Sequence, residues 1–155
     1  MSGLLLSASG LLVGRGPEGS DLTPDAKQVW AAHSGDGRVS VIDITTKKVV
    51  RVIDAEAPSA NRLKITPDGK LALISQVGGG GGLVVLDTTE GTVKQRLKVG
   101  RGAAGILITS DGSQAFIALT GDNAIAVIDL KTLTETARYH TGQGSDGMAW
   151  LEAQP

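Results

Sequence analysis

The sequence predicts an all-β chain made of repeated, four-stranded antiparallel sheets. Three observations support this class: a regular internal repeat, apolar runs of strand length, and a composition rich in turn-forming residues. Glycine supplies 22 of the 155 residues, about twice the usual ~7%, whereas aromatic residues make up only 3%. The chain therefore has many turns and few large core anchors.

The repeat is defined by two markers that return in step. A Thr-Pro-Asp or Thr-Ser-Asp turn places its aspartate at positions 25, 68 and 111, a constant step of 43 residues. An apolar run that closes in Ile-Asp or Leu-Asp ends at positions 43, 87 and 129, which is 18 or 19 residues further in each unit. A constant period of this length is the signature of a repeat architecture. We expect one partial domain over residues 1–155, with repeats at about 19–61, 62–104 and 105–147.

Each repeat contains short apolar or alternating runs, separated by Gly, Asp, Pro and Thr clusters typical of hairpin turns. No run sustains helical spacing. Four short strands in ~43 residues match one blade of a β-propeller. The predicted strands are Gln28–Ala32, Val39–Ile42 and Lys48–Ile53 in the first unit, and Gly105–Thr109, Gln114–Leu119, Ala124–Ile128 and Glu135–Thr141 in the third.

Incomplete blade strands are predicted at both termini. Gly10–Gly14 is predicted as an outer strand, and a new inner strand is predicted to start at Met148–Trp150. A blade normally packs both faces against neighbours, so three blades alone would expose apolar surface. We expect a homo-oligomer or a partner chain to complete the propeller, for example a two-fold pair with six blades; a piece of a longer polypeptide is the alternative.

The repeat markers resemble those of the YVTN-type β-propeller family. The Thr-Pro-Asp-Gly turn and the run Val-Ser-Val-Ile-Asp at 39–43 match the family pattern. The Tyr-Val-Thr-Asn element is replaced, reading Trp-Ala-Ala-His at 30–33. The resemblance implies a complete propeller of about seven blades. It also implies an exported, periplasmic or extracellular, bacterial protein, and relatives that include lactonases and quinoprotein or haem d1-type oxidoreductases.

Charge and hydropathy exclude several classes of partner. With 15 basic and 16 acidic residues the net charge is −1, so no nucleic-acid surface is predicted. No run approaches the ~20 apolar residues that cross a bilayer, and no membrane contact is predicted. The apolar start lacks the preceding positive charge of a secretory signal, because the first cation is Arg15. We therefore predict no signal peptide, and the residues alone leave the compartment unknown.

The inventory of reactive side chains is thin. Two His, one Tyr and no Cys leave few groups for acid–base or nucleophilic chemistry, so we predict no catalytic residue, no cofactor and no metal. The repeated aspartates are interpreted as turn residues whose carboxylates accept backbone N–H groups. The run Gly78–Gly82 is interpreted as a flexible hairpin, since it lacks the Lys-Ser/Thr of a phosphate loop.

Candidate ligand-binding residues follow from the repeat register. Glu18, Asn61 and Asp146 hold equivalent positions in the connections to the inner strands, together with Ala104, while Arg62 follows Asn61 and His33 ends the second strand of the first blade. We predict a non-enzymatic binding or scaffold module that presents this axial face to a small molecule or a protein. The alternative is a lactonase-like or cofactor-binding propeller enzyme, which should bring Glu18, His33, Arg62 or Asp146 within hydrogen-bond reach of one another.

Overall fold

The computed structural model describes residues 11–79 and 81–151. These residues form twelve strands and no helix, which confirms the predicted all-β class. Each sheet is a four-stranded antiparallel meander of consecutive strands. Blade 1 contains β1 Pro17–Leu22, β2 Gln28–His33, β3 Arg38–Asp43 and β4 Lys48–Asp54; blade 2 contains β5 Ala60–Ile65, β6 Leu71–Gln76, β7 Gly82–Asp87 and β8 Thr92–Leu97; blade 3 contains β9 Ala103–Ile108, β10 Gln114–Leu119, β11 Ala124–Asp129 and β12 Thr134–His140.

The hairpin turns are held by the repeated aspartates. In blade 2 the Thr66 hydroxyl donates to Asp68 at 2.6 Å, and the Lys70 amide donates to the same carboxylate at 3.0 Å. The β3–β4 turn uses Asp43, which accepts the Thr46 amide at 2.6 Å. The predicted role of these aspartates as turn acceptors is confirmed. The same contacts recur at Asp25, Asp87, Asp111 and Asp129.

The core lies between the blades, because alternate residues of a strand point to opposite faces of the sheet. We call the face directed at the following blade the forward face and the opposite one the backward face. In blade 2, Ile74 and Leu86 belong to the core shared with blade 1, whereas Leu73 and Val85 belong to the core shared with blade 3. Blade 2 is thus buried on both faces.

Polar contacts from one blade to the next reinforce this packing. Asp21 of β1 accepts the Ile65 amide at 3.0 Å and lies 3.4 Å from the Lys64 ammonium group. Arg96 and Arg138 occupy equivalent places in β8 and β12. Arg96 donates to the Ala55 carbonyl at 2.8 Å, and Arg138 donates to the Val99 carbonyl at 2.6 Å. Each arginine thereby ties an outer strand to the connector that precedes its blade.

The two ends of the described chain differ from the sequence prediction. Residues 11–14 and 148–150 form no strand, and Gly10 lies outside the described residues. The predicted inner strand nevertheless runs beside β9: the Asp146 carbonyl lies against Gly105, and the Trp150 ring packs on Phe116 with centroids 5.9 Å apart. A strand requires a hydrogen-bonded neighbour in its own sheet, and no further described strand supplies one. No helix in the described ranges could span a membrane.

Candidate functional site

The predicted axial face is formed where two kinds of loop meet. One is the turn between the second and third strands of each blade, and the other is the connector between successive blades. Ser34 of the first such turn donates its amide to the Gly16 carbonyl at 2.8 Å. Thr120 does the same to Gly102 in blade 3, at 3.0 Å. At this end of the molecule the inner strands β1, β5 and β9 begin. We call the second residue of each of these strands, together with Arg62, the axial rim: Glu18, Asn61, Arg62 and Ala104.

Two predicted site residues are in direct contact at the rim. The side-chain amide of Asn61 donates to the Glu18 carboxylate at 3.4 Å. The Arg62 guanidinium donates to the backbone carbonyl of Asn61 at 3.3 Å. The Asn61 Oδ1 atom is buried and has no hydrogen-bond partner among the described residues. Below them, the Arg62 amide donates to Ser75, whose hydroxyl donates to the Ala104 carbonyl at 2.6 Å. The rim therefore displays a carboxylate, an amide and a guanidinium on a hydrogen-bonded support.

His33 is 1% exposed and pairs in register with Pro17, the residue before Glu18. Its Nδ1 atom is 3.2 Å from the Asp36 carboxylate, and its Nε2 atom is buried without a partner among the described residues. A Cβ on Gly14 would collide with the imidazole ring. The Arg15 amide, then Arg38 and His33, hold the pKa of Asp36 below its usual value. His33 thus packs the first connector onto blade 1.

Asp146 is separate from the Glu18–Asn61 pair. It is exposed and lies beyond β9, whereas Glu18 lies on β1 at the other end of the blade array. None of the hydrogen bonds or ion pairs found in the described ranges joins Glu18, His33, Arg62 and Asp146 to one another. The structure brings together Glu18, Asn61 and Arg62 only.

Sequence reasoning missed one pair on the same face. Arg101 donates its backbone amide and its guanidinium Nε to Asp122, both at 2.7 Å. These hydrogen bonds lower the pKa of Asp122, and the one from the Arg101 backbone amide has the larger effect. The equivalent pair in blade 1 is Arg15 with Asp36, whose amide contact is 3.1 Å long. The Gly-Arg-Gly triplets at 14–16 and 100–102 were the available signal, since each is followed 21 residues later by an aspartate.

The opposite end of the molecule carries a cavity of about 430 Å³ between blades 1 and 2. Its acidic lining consists of Asp25, Asp43 and Asp68, all of which already accept turn hydrogen bonds. In the described ranges no group of three or more His, Cys, Asp or Glu side chains is placed to hold a metal ion. In blade 3, Leu130 and Leu133 are buried in the core between blades 2 and 3. Blade 2 has the smaller residues Thr88 and Gly91 at the equivalent positions. An equivalent cavity of about 340 Å³ lies between blades 2 and 3 and is lined in part by Asp68, Gly112, Asp129 and Leu130. Both cavities are therefore spaces that the repeated turns leave at the inter-blade junctions.

No protein-family model matches the chain, and no curated protein matches it. Solved structures do resemble it. Hydrazine synthase of Kuenenia stuttgartiensis aligns with a TM-score of 0.78 at 24% identity, over 91% of this chain and 40% of that one. The WD40 repeats of RRP9 align at 0.73 and 13% identity, over 86% and 41%. A putative 6-phosphogluconolactonase from Bacteroides fragilis aligns at 0.73 and 19% identity, over 86% and 41%.

These likenesses establish the fold: the chain has the blade architecture of a β-propeller. It spans about two-fifths of the length of the solved structures that it matches. The neighbours include proteins with enzyme names and a repeat scaffold, so the fold is compatible with either kind of function.

Proposed function

We propose that the chain is a YVTN-type propeller segment that acts as a non-catalytic binding or scaffold module. Its axial rim is presented to a small polar molecule or to a protein segment. A second copy or a partner chain supplies the blades that close the ring around the axis. The ligand then meets Glu18, Asn61 and Arg62 at the mouth of the central channel.

One observation carries this proposal. The turn aspartates repeat in every blade, whereas the rim positions change from Glu18 to Asn61 to Ala104 at equivalent places. The scaffold is thus constant and its mouth is varied, as in folds that carry function on loops above a rigid frame. The buried, unpartnered Oδ1 atom of Asn61 is an acceptor that a ligand or an ordered water would satisfy.

A second candidate is a lactonase-like or cofactor-binding propeller enzyme. One structural neighbour is named a putative 6-phosphogluconolactonase and another a hydrazine synthase. Both likenesses lie below 25% identity. An enzyme would need additional polar groups from other blades, because Glu18, His33 and Asp146 are not in contact in this chain.

Backbone amide NMR tests the binding role. The isotopically labelled chain is titrated with gluconate, a sugar phosphate, an acidic peptide and a basic peptide. We expect at least one probe to shift the amide signals of residues 18–19, 60–62 and 104, and expect Asn61→Ala to reduce those shifts. A matched control is Asp68→Ala, which alters the opposite face.

Shifts confined to the turns around Asp25 and Asp68, or no shift with any probe, would contradict the binding role. The enzyme alternative is read separately by following ring opening of glucono-δ-lactone. Hydrolysis faster than in buffer, and slowed by Glu18→Gln, would favour that alternative over the scaffold.

A further inference from the structure

The sequence contains four Asp-Gly pairs, at 36–37, 68–69, 111–112 and 146–147. Such a pair can rearrange without an enzyme, because the glycine amide nitrogen can attack the side-chain carboxyl carbon of the aspartate. Glycine favours the attack, since it has no side chain in the way and its backbone is unusually free. The four pairs therefore share the same intrinsic chemistry, and their surroundings decide where it occurs.

In three of the pairs the attacking amide is already used in a turn. Each of these glycines has a φ of 70° to 73°, in the left-handed region, and donates its amide to an earlier backbone carbonyl. The bonds run from Gly37 to His33 at 3.1 Å, from Gly69 to Thr66 at 2.8 Å and from Gly112 to Thr109 at 2.9 Å. A nitrogen held in this way must leave its turn before it can attack.

The carboxylates of the same three pairs are held as well. Each accepts hydrogen bonds of 2.6 to 3.2 Å from its own turn or from the adjoining connector. Asp111, for example, accepts the Thr109 hydroxyl at 2.6 Å and the Ser113 amide at 3.0 Å. Such bonds favour the charged form, and they lower the pKa values of Asp36, Asp68 and Asp111. Less of the neutral carboxyl, whose hydroxyl group can leave, is therefore present.

The fourth pair has neither kind of protection. Asp146 and Gly147 are both exposed and belong to no strand. Among residues 11–79 and 81–151, no hydrogen bond or ion pair uses the Asp146 carboxylate or the Gly147 amide. A Cβ added to Gly147 would meet nothing within 4 Å. The two reacting groups are thus free to approach each other.

We propose that the pair Asp146–Gly147 is a modification site, at which the folded chain forms isoaspartate spontaneously. The Gly147 nitrogen forms a bond to Cγ of Asp146, and the amide proton and the carboxyl hydroxyl leave as water. The product of this step is a cyclic succinimide. The inference goes beyond the proposed binding function and does not depend on it.

Water then opens the succinimide at one of its two carbonyls. Addition at the former side-chain carbonyl restores aspartate. Addition at the former backbone carbonyl breaks its bond to the Gly147 nitrogen, so that the main chain runs through Cβ and Cγ of residue 146. The net change is an isomerisation, because one water leaves and one water returns.

The modification alters the segment that covers Phe116. The Asp146 carbonyl lies against Gly105, and the Trp150 ring packs on Phe116 with centroids 5.9 Å apart. Isoaspartate adds one methylene group to the main chain between these two contacts. It also turns the Asp146 carbonyl into a free carboxylate. The rearrangement therefore acts on the packing of Trp150 as well as on the modified residue.

Peptide mapping tests the site, because trypsin places the four pairs in four separate peptides, residues 28–38, 65–70, 102–131 and 139–155. The folded chain is aged at neutral pH and digested, and electron-transfer fragmentation distinguishes isoaspartate from aspartate at equal mass. We expect isoaspartate to form in 139–155 at least about tenfold faster than in the other three, since reaction there must first break hydrogen bonds to a charged group.

Three controls assign the difference to the fold. In urea, where the turns are lost, the four pairs should react at similar rates. Gly147→Ala should suppress the reaction in 139–155, because a side chain hinders the attacking nitrogen while the added Cβ disturbs no contact. Thr109→Val removes a hydroxyl that holds Asp111 and should accelerate the reaction in 102–131. A methyltransferase that esterifies isoaspartate should label the aged wild type far more than aged Gly147→Ala.

Two outcomes would overturn the inference. One is a rate in 139–155 of the folded chain that is equal to or lower than the rate in any of the other three peptides. The other is a folded chain that forms no isoaspartate under conditions in which its peptides react in urea. Neither outcome bears on binding at the axial rim, which is read from amide shifts.

Discussion

Blade 2 and the two end blades have the same strand topology but different surroundings. In blade 2 the side chains of Leu73, Ile74, Leu83 and Leu86 are all fully buried, on both faces of the sheet. In blade 1, by contrast, Ile42 stands at the place of Leu86 and is only partly buried, and Leu22 stands at the place of the buried Ile65 and is 50% exposed. The same repeat position is thus buried in a blade that is flanked on that face and partly exposed in one that is not. Apolar burial is thus greatest in the middle of the described chain.

The largest effect should come from emptying the middle of the core. Leu73→Ala removes a fully buried side chain between blades 2 and 3 and should lower the free energy of unfolding by ~2–5 kcal/mol. For comparison, Val52→Ala changes an exposed residue of the outer strand of blade 1 and should cost no more than about 0.5 kcal/mol. Urea unfolding of both variants checks the contrast. Equal losses would show that burial in the middle does not set stability.

The next effect concerns how closely the inner strands approach. A Cβ on Gly19 would collide with the backbone of Arg62 and Leu63, so Gly19→Ala should separate blades 1 and 2. We expect a loss of ~1–3 kcal/mol, the usual cost of overpacking. Gly142→Ala is the control, because nothing lies within 4 Å of the added atom. A Gly19 variant with unchanged thermal stability would contradict the close junction between these blades.

A smaller effect is expected at the buried histidine of blade 1. His33→Leu introduces the residue that blade 3 has at this place, Leu119, and removes the contact with Asp36. We expect a loss of about 1–2 kcal/mol from the lost hydrogen bond, and less for His33→Gln, the residue type of blade 2. Thermal unfolding of the two variants ranks them. An unchanged His33→Leu chain would show that the imidazole is only a filler.

The smallest individual effects on the free energy of unfolding should come from the turn carboxylates. Their contributions add up and are lost together when the pH is lowered. The Thr109 hydroxyl and then the Ser113 amide lower the pKa of Asp111 from 3.8 to about 2. A carboxyl with a lowered folded-state pKa stabilises the fold above its unfolded-state pKa, and that contribution is lost as pH falls through the folded-state value. Urea midpoints should therefore fall between pH 3.8 and about 2. Asp111→Asn should flatten part of this slope; an unaltered slope would contradict the assignment.

The same direction holds for six other aspartates. Hydrogen bonds within turns or connectors, the largest cause in each case, lower their pKa values. Each of these carboxyls should accordingly also stabilise the fold at neutral pH and lose that contribution in acid, below its usual pKa of 3.8. These residues are Asp25, Asp36, Asp43, Asp68, Asp122 and Asp129.

Much of the fold could be predicted because its determinants are local. The strand Gln114–Leu119 was predicted with its exact bounds, and β11 differs from its prediction by one residue, Asp129. Turn aspartates and alternating apolar runs act within a few residues, so they are readable from the sequence. Residues 148–150 were predicted as a strand and are not one, because strand formation depends on a neighbour from elsewhere.

The candidate site was less predictable, because its contacts join residues that are far apart in the sequence. The Glu18–Asn61 contact joins residues 43 apart, and the repeat register alone brought them to the same rim. The register could not show that the His33 side chain is buried against Asp36 and Gly14. Nor could it show that Arg96 and Arg138 reach back to the preceding connector, since an exposed arginine in an outer strand resembles an ordinary solvated residue.

The reach of these contacts has a consequence for how such a chain can grow. The inter-blade hydrogen bonds of Asp21, Arg96 and Arg138 span between 39 and 44 residues, close to one repeat. Tandem duplication of a 43-residue stretch of the gene would therefore carry both ends of each contact type along with it. In a lengthened chain, the residues that form each new inter-blade contact would already be present. Loss of one unit would remove one junction and leave the contacts of the other junctions intact. Blade number is thus a quantity that recombination can change in single steps.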